Sequence, residues 1–203
     1  AMITKTISSL AASIIKFIII FLFFLNAYAD PVNKKYEPKE KGILALMYHR
    51  FEENKYPSTN IKIDVFQEHL NIIRENNFSF LNPKNFELEF NKVSEEKKIL
   101  LTIDDAFSSF YLNAWPILKR DKIPFILFVS TEAVGNKGYM NWDEIIEISN
   151  EDFVFIGNHS HSHEYLVKYN FEKLKKDILK SVKIFEKKLG YNSKFFSYPF
   201  GEY

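Results

Sequence analysis

Three of the five histidines in this 203-residue chain lie in one short stretch, HSHSH at residues 159–163. Histidine nitrogens are common zinc ligands, and a catalytic zinc site takes three protein ligands and leaves one position for water. His159 and His163 are four residues apart, so a helical turn would direct both rings to one ion, whereas His161 would point away. Ser160 could fix a ring by a hydrogen bond. Two histidines make an incomplete site, and a polar surface loop is the alternative interpretation.

Two adjacent carboxylates, Asp104 and Asp105, could provide the oxygen ligand that such a site lacks. Their like charges repel, and a bound cation relieves the repulsion. One carboxylate could then bind the ion while its neighbour accepts a proton from water, which is the arrangement that metal-assisted hydrolysis requires. The alternative is that both aspartates cap a helix or shape a turn, which is a common role for Asp.

Apolar runs typical of buried strands alternate with helical patterns from residue 43 onward. This alternation predicts an α/β fold in which helices cover a parallel sheet. The predicted strands lie at 43–48, 78–81, 98–103, 124–130, 153–156 and 194–198. The first predicted helix begins at Asp64, which with Gln67 resembles a capping box. The other predicted helices lie at 110–120, at 142–148 and at 171–189, where Gly190 ends the last one.

Polar residues follow four of these strands at their carboxyl ends. They are His49, the pair Asp104 and Asp105, the histidine cluster, and residues 199–202. In parallel α/β folds, ligands bind at the carboxyl ends of the strands, whether the sheet is open or closed into a barrel. We therefore expect these four segments to converge on one site.

The first 29 residues have the plan of a secretory signal peptide, with Lys5, Lys16, the apolar run FIIIFLFFL and then AYA before Asp30. An uncleaved membrane anchor is the alternative, although Lys16 keeps the run shorter than the roughly 20 residues of a membrane helix. Residues 30–42 are predicted to be a linker, and residues 43–203 a domain that could be truncated at its C-terminus. We expect export to the periplasm or the extracellular space, with membrane contact only through this first segment.

The charge balance excludes one class of partner. Lys and Arg number 27 against 26 Asp and Glu, so there is no basic field for nucleic acid. The chain has no cysteine, so an exported domain of this sequence has no disulfides to stabilise it. No protein partner can be predicted from these features.

Three motifs, in this order, resemble those of the polysaccharide deacetylases of carbohydrate esterase family four. They are LTIDDAF at 101–107, HSHSH at 159–163 and YPFGE at 198–202. The resemblance implies a distorted, incomplete (β/α) barrel with parallel strands. It also implies one bound divalent ion, for which zinc is expected and nickel, cobalt and iron are left open.

The resemblance also implies roles for single residues. Asp104 would be the general base, and the backbone N–H of Phe200 would help to hold the oxyanion. The ion would be held by Asp105, His159 and His163. Ser160 and Pro199 are expected to contact the ligand residues without binding the ion themselves.

Two departures from the family pattern concern the acid and the base. The third motif usually carries an arginine that positions the catalytic aspartate, and Ser197 stands in its place, so this support is missing or comes from elsewhere. No histidine follows His163 to act as the usual late catalytic acid. In the branch that deacetylates poly-N-acetylglucosamine, this histidine comes from the first strand, which makes His49 the candidate acid; a histidine satisfied by hydrogen bonds at the edge of the core is its alternative.

The resemblance implies a metal-dependent hydrolase that removes N-acetyl groups from an N-acetylglucosamine-containing polysaccharide. The expected substrate is poly-N-acetylglucosamine, a biofilm exopolysaccharide. A deacetylase of peptidoglycan or of chitooligosaccharides would share the motifs. A catalytically inactive glycan-binding domain is an alternative of a different class.

Overall fold

The computed structural model describes residues 43–92 and 96–203. The predicted signal peptide at 1–29 and the linker at 30–42 lie outside these residues and remain predictions. Within the described part, strands and helices alternate along the chain as the hydrophobic pattern predicts. The α/β class and the parallel arrangement of the strands are thereby confirmed.

Five parallel strands form the main sheet, and two short strands pair beside it. The order in the main sheet is β1-β5-β6-β7, with β4 pairing with the start of β5. The strands are β1 Leu44–Tyr48, β2 Arg50–Phe51, β3 Asn60–Ile61, β4 Ser79–Phe80, β5 Lys98–Asp104, β6 Phe125–Val129 and β7 Val154–Asn158. The sheet is open among the described residues, so the closure and curvature of a barrel remain an expectation.

Five α-helices accompany these strands: α1 Ile63–Glu75, α2 Phe86–Phe90, α3 Trp115–Asp121, α4 Trp142–Ser149 and α5 Phe171–Leu189. A π-helical segment, Phe110–Ala114, leads into α3. Short 3₁₀ turns lie at Pro83–Asn85, Leu166–Lys168 and Pro199–Gly201. Among the described residues, no helix combines the length and the apolar character needed to cross a membrane.

The helix ends show where local sequence signals hold. Gly190 ends α5 in a left-handed conformation at φ 77°, as predicted. At the other end of α5, the Asn170 side chain accepts the Lys173 N–H at 2.9 Å, a cap that was not predicted. The capping box predicted from Asp64 is wrong, because α1 begins after Lys62 without a side-chain cap. Instead, Glu52 Oε1 accepts the Ile63 N–H at 2.6 Å, so the cap comes from a distant loop that no local pattern reveals.

The core lies on both faces of the central strands. In β5, Leu101 and Ile103 are fully buried in the larger hydrophobic cluster, while Leu100 faces a smaller one on the other side. Phe66 of α1 and Phe185 of α5 are also fully buried in the larger cluster. Burying a side chain of this size stabilises the fold by about 1.5–3 kcal/mol.

The last predicted strand, 194–198, is much shorter than expected. It pairs with β7 only through the parallel bridge between Asn158 and Phe196. Asn158 N–H donates to the Phe195 carbonyl at 2.9 Å, and Ser197 N–H donates to the Asn158 carbonyl at 3.0 Å. These two bonds still bring the third motif beside the end of β7.

Candidate active site

The ends of β5 and β7 bring one carboxylate and two imidazoles together. Asp105 Oδ1 lies 2.9 Å from His163 Nε2 and 3.6 Å from His159 Nε2. One ligand atom from each of these three residues lies within 4.8 Å of the other two. Two imidazole nitrogens and one carboxylate oxygen form a donor set that suits zinc and other divalent cations, with a coordination position left open.

The orientation of His159 supports this role. Its Nδ1 donates a hydrogen bond of 2.8 Å to the Ser197 carbonyl, so its Nε2 carries the lone pair on the side of Asp105. Metal-binding histidines usually make such a bond with their second nitrogen. Burial lowers the pKa of His159 to about 4, although the bond to Ser197 acts in the opposite direction. The ring is therefore neutral at pH 7, which is the form that binds metals.

His163 reaches the same point by a different backbone route from the predicted one. The segment 159–163 is not a helical turn, and Ser160 and His163 instead have positive φ angles of 68° and 54°. Ser160 Oγ accepts the His163 N–H at 3.0 Å, and the Ser160 N–H donates to Asn158 Oδ1 at 2.9 Å. The prediction of convergence holds, but the helical turn that suggested it is wrong.

The pKa values of Asp105 and His163 shift in opposite directions. Burial would raise the pKa of Asp105, but the hydrogen bond with His163 and the charges of both histidines outweigh it, and the pKa is lowered. Burial would lower the pKa of His163, but the hydrogen bond with Asp105 and the charge of that carboxylate raise it instead. The strongest contribution in the direction of both shifts is the hydrogen bond between Asp105 Oδ1 and His163 Nε2, which are 2.9 Å apart.

His161, between the two, belongs to a different set of contacts. Its Nδ1 lies 2.8 Å from Thr131 Oγ1, and its Nε2 lies 3.4 Å from Glu132 Oε1. It is buried and is not part of the cluster formed by Asp105 and the other two histidines. The prediction that it points away from the shared position is confirmed.

Asp104 lies beside the cluster with one oxygen unused. Its Oδ2 is 3.9 Å from His159 Nε2 and accepts a bond of 3.3 Å from Ser197 Oγ. Its Oδ1 is buried without a hydrogen-bond partner, so it can accept a proton. Burial, followed by the charge of Asp105, raises the pKa of Asp104 to about 7, against the opposing effect of the Ser197 bond. Ser197 thus occupies the place of the family's arginine and still contacts the aspartate.

His49 lies between β1 and β2, half-buried at the same edge of the sheet. Burial lowers its pKa, and the charge of Asp105 opposes this while those of His163 and Arg50 add to it. His49 therefore interacts electrostatically with two members of the cluster, Asp105 and His163. Its role as an acid remains a prediction.

Residues 198–200 close the site from a third direction. Pro199 is buried, and Phe200 has a positive φ of 61°. The Phe200 ring stacks on Tyr165, with centroids 4.0 Å apart and an interplanar angle of 8°, and meets the His163 ring edge-on at 4.9 Å. Sequence analysis did not single out Tyr165. The oxyanion role of the Phe200 amide remains a prediction.

An open groove of about 470 Å³ leads to Asp105 and His163. Its walls carry Arg50 and the aromatic residues Tyr56, Phe107, Tyr139 and Phe200. The Arg50 guanidinium lies 3.4 Å from the centroid of Phe107 and 4.0 Å from that of Tyr56, so it ties two aromatic walls together. Arg50 lies in β2, and Tyr56 lies in the connection between the paired strands β2 and β3.

Known proteins resemble this chain over most of its length. It is 28% identical over 205 residues to a poly-beta-1,6-N-acetyl-D-glucosamine N-deacetylase of Staphylococcus aureus (strain MRSA252), covering 87% of this chain and 70% of that protein. The structure of IcaB from Ammonifex degensii superposes with a TM-score of 0.69 at 26% identity, covering 79% of this chain and 75% of that one. The Streptococcus pyogenes deacetylase PplD has a TM-score of 0.70 at 24% identity and the same coverage, a likeness that shows the fold alone.

The sequence pattern of a known family extends over the residues that build this site. Residues 91–203, more than half of the chain, match the family described as polysaccharide deacetylase. The matched region contains Asp104, Asp105, His159 and His163, while His49 precedes it. The chain therefore belongs to the polysaccharide deacetylase family.

Proposed function

We propose that this chain hydrolyses the N-acetyl groups of an N-acetylglucosamine-containing polysaccharide, with poly-β-1,6-N-acetylglucosamine as the substrate. One observation carries the chemical part of the proposal. Asp105, His159 and His163 converge within 4.8 Å, and Asp104 stands beside them with a buried, unpaired oxygen. The likeness to the S. aureus enzyme, whose name specifies the β-1,6 polymer, supports the choice of substrate.

Asp105, His159 and His163 would hold the divalent cation. When bound, the cation would supply Lewis acidity for the acetamide carbonyl and would lower the pKa of a water molecule towards neutrality. The hydrogen bond from His159 to the Ser197 carbonyl keeps the ring in the required tautomer, and the bond from His163 N–H to Ser160 holds the second ligand. Family membership supports metal dependence, and the identity of the ion is part of the proposal, with zinc preferred for this donor set.

Asp104 would act as the base. Its unpaired Oδ1 accepts a proton from the attacking water, while Ser197 Oγ holds its other oxygen. His49 would donate a proton to the nitrogen that leaves as the free amine. The backbone N–H of Phe200 would stabilise the negative charge that develops on the carbonyl oxygen.

The groove would bind the glycan. Sugar rings present flat C–H faces, and the aromatic walls at Tyr56, Tyr139 and Phe200 offer surfaces for them. An open groove suits a chain that extends beyond the reacting unit at both ends. We also propose that the open parallel sheet corresponds to the incomplete (β/α) barrel of the family, since the S. pyogenes and A. degensii structures superpose on it.

The proposal includes an extracytoplasmic location, which the signal-like plan of residues 1–29 supports. Fractionation of cells that express the chain with and without these residues tests it. We expect the full chain in the periplasmic or extracellular fraction and the shortened chain in the cytoplasm. The same distribution for both would contradict the expectation.

The decisive experiment measures bound metal and acetate release together, for the wild type, Asp104→Asn and Asp105→Asn. We expect wild-type protein to bind one equivalent of zinc and to release acetate from poly-β-1,6-N-acetylglucosamine. Asp104→Asn should keep the zinc and lose turnover by about 10²-fold or more, because it removes the base. Asp105→Asn should lose the zinc.

Acetate release from three different substrates distinguishes the proposed function from a deacetylase of another glycan and from an inactive binding domain. Faster acetate release from peptidoglycan or chitooligosaccharides than from the β-1,6 polymer would overturn the substrate assignment. Wild-type protein that binds zinc and glycan but releases no acetate from any of the three would be a binding domain.

A further inference from the structure

We propose that Asp177, on α5, is a positioning residue of the candidate metal site. It lies 16 residues beyond His161, outside the three motifs that carry the family resemblance. It is not a member of the cluster and does not line the groove itself, and it would act by holding the loop 159–163, whose two ends supply the histidine ligands. This inference rests on the proposed function, because it concerns the same metal site.

The Asp177 carboxylate accepts hydrogen bonds from two backbone N–H groups of this loop. Oδ1 accepts the His161 N–H at 2.8 Å, and Oδ2 accepts the Ser162 N–H at 3.1 Å. The residue is only 8% exposed. A buried carboxylate is unfavourable unless it is hydrogen-bonded, and bonds to a charged acceptor are stronger than neutral ones. Both oxygens of Asp177 are therefore committed to the loop.

The loop depends on such external contacts for its shape. Ser160 and His163 have positive φ angles, which are unfavourable for residues other than glycine and persist only when surrounding contacts enforce them. The segment after β6 fixes the loop carbonyls, since Thr131 N–H donates to Ser160 O at 3.3 Å and Glu132 N–H to His161 O at 3.0 Å. Asp177 fixes the amides from the opposite side.

The two histidine ligands depend on this support to different degrees. His159 is anchored directly to the sheet, because its N–H donates to the Val129 carbonyl at 3.0 Å and its carbonyl accepts from Ser130 Oγ at 2.7 Å. His163 is held through the loop itself, by the bond from its N–H to Ser160 Oγ. Loss of the Asp177 bonds should therefore displace His163 relative to His159 and weaken metal binding.

The test measures the zinc affinity of full-chain protein by competition with a chromophoric chelator, using zinc alone as the probe. Asp177→Asn keeps the side-chain volume but replaces one acceptor oxygen with a donor, and Asp177→Ala removes both acceptors. We expect the Kd for zinc to rise about 10- to 100-fold in both variants. Asp152→Asn is the matched control, because Asp152 is an exposed aspartate preceding β7, at the opposite end of that strand from the site, and its zinc Kd should not change.

A second readout is hydrogen exchange of the metal-free proteins. It separates a loss of loop positioning from an effect of the Asp177 charge and from a general loss of stability. Exchange should accelerate in peptides covering residues 158–166 and stay unchanged in α4.

If Asp177→Ala does not fold, Asp177→Asn carries the test. A zinc Kd within twofold of wild type would overturn the inference while leaving the proposed function intact. A weaker zinc affinity with unchanged hydrogen exchange would mean that Asp177 acts through its charge, which would also overturn the inference. Faster exchange throughout the protein would overturn it as well, because the effect would then not be confined to the loop. Wild-type protein that fails to bind zinc would contradict the proposed function itself.

Discussion

The Ser197 hydroxyl donates a hydrogen bond of 3.3 Å to Oδ2 of Asp104. The carbonyl of the same serine accepts a bond of 2.8 Å from His159 Nδ1. One residue therefore contacts both the candidate base and a candidate metal ligand, one through its side chain and the other through its backbone. A substitution of the side chain should separate the two contributions.

Ser197→Ala is expected to lower kcat with little change in zinc affinity. The variant loses the donor to Asp104 but keeps the carbonyl that orients His159. A single hydrogen bond of this kind contributes about 0.5–1.5 kcal/mol, so kcat should fall by about 2- to 10-fold. Ser197→Thr, which retains the hydroxyl, is the control. Equal turnover in the alanine variant and the wild type would show that the bond has no part in catalysis.

His49→Gln tests the acid by a change of leaving group. With the N-acetyl glycan, whose amine must be protonated as it leaves, turnover should fall by about 10²-fold or more. With an aryl acetate ester, whose phenolate leaves without a proton, the same variant should retain most of its activity. Steady-state kinetics on both substrates make the comparison. An equal loss on both would assign His49 to a different role.

Tyr165→Leu tests the ring that supports Phe200. The Tyr165 and Phe200 rings stack at 4.0 Å, and Phe200 in turn touches His163. Aromatic pairs contribute about 0.5–1.5 kcal/mol beyond burial, so kcat should decrease by about 2- to 10-fold when the ring is lost. Tyr165→Phe keeps the stacked ring and should behave like the wild type. The idea fails if the leucine and phenylalanine variants have the same kcat.

Gly157→Ala tests the close packing of β7 on β6. A Cβ at residue 157 would collide with the Phe128 ring and lie 2.9 Å from Ile126 Cγ2. Overpacking of this kind costs about 1–3 kcal/mol, which urea unfolding of the metal-free protein would detect. Adding Phe128→Leu makes room for the new methyl group, so the double variant should be more stable than the sum of the two single changes predicts. Strict additivity would exclude the clash as the cause.

Asp121→Asn tests an ion pair that links α1 to α3. The contribution of this ion pair to stability should depend on pH. Hydrogen bonds from Arg120 and from Arg74 lower the pKa of Asp121 from 3.8 to about 2. Because the folded-state pKa is the lower one, the stabilisation is complete above the unfolded value and is lost as the pH falls towards about 2. The carboxylate lies near the surface, so its contribution at pH 7 should be below about 1 kcal/mol.

Urea unfolding of the wild type and Asp121→Asn measures this contribution. The difference in the free energy of unfolding should be present near pH 7 and near pH 5, and should shrink as the pH falls below about 4. It should also decrease at high salt, since an exposed ion pair is screened. A difference that stays constant from pH 7 to about pH 2.5 would contradict the assignment.

The helices, the strands and the ligand residues could largely be predicted from the sequence, because each depends on local pattern. Buried strands require short continuous apolar runs, and amphipathic helices require apolar residues three to four apart, so most elements were found where predicted. The end of α5 at Gly190 follows from the conformational preference of glycine alone. The two histidines were singled out as candidate ligands by their type and spacing, while the choice of Asp105 over Asp104 came from the family resemblance.

The contacts that shape the site were decided by the tertiary structure. Ser197, 38 residues from His159, and Asp177, 16 residues from His161, have no local pattern that ties them to the site. The cap of α1 by Glu52 and the groove walls at Arg50, Tyr56 and Phe107 arise in the same way. Segment 159–163 lacks the expected helical turn, and bonds from Asp177 and from residues 131–132 hold it in a conformation with positive φ at Ser160 and His163. Residue types and periodicity thus determined which groups are available, while long-range packing decided which of them meet, because contacts between distant residues depend on the whole fold.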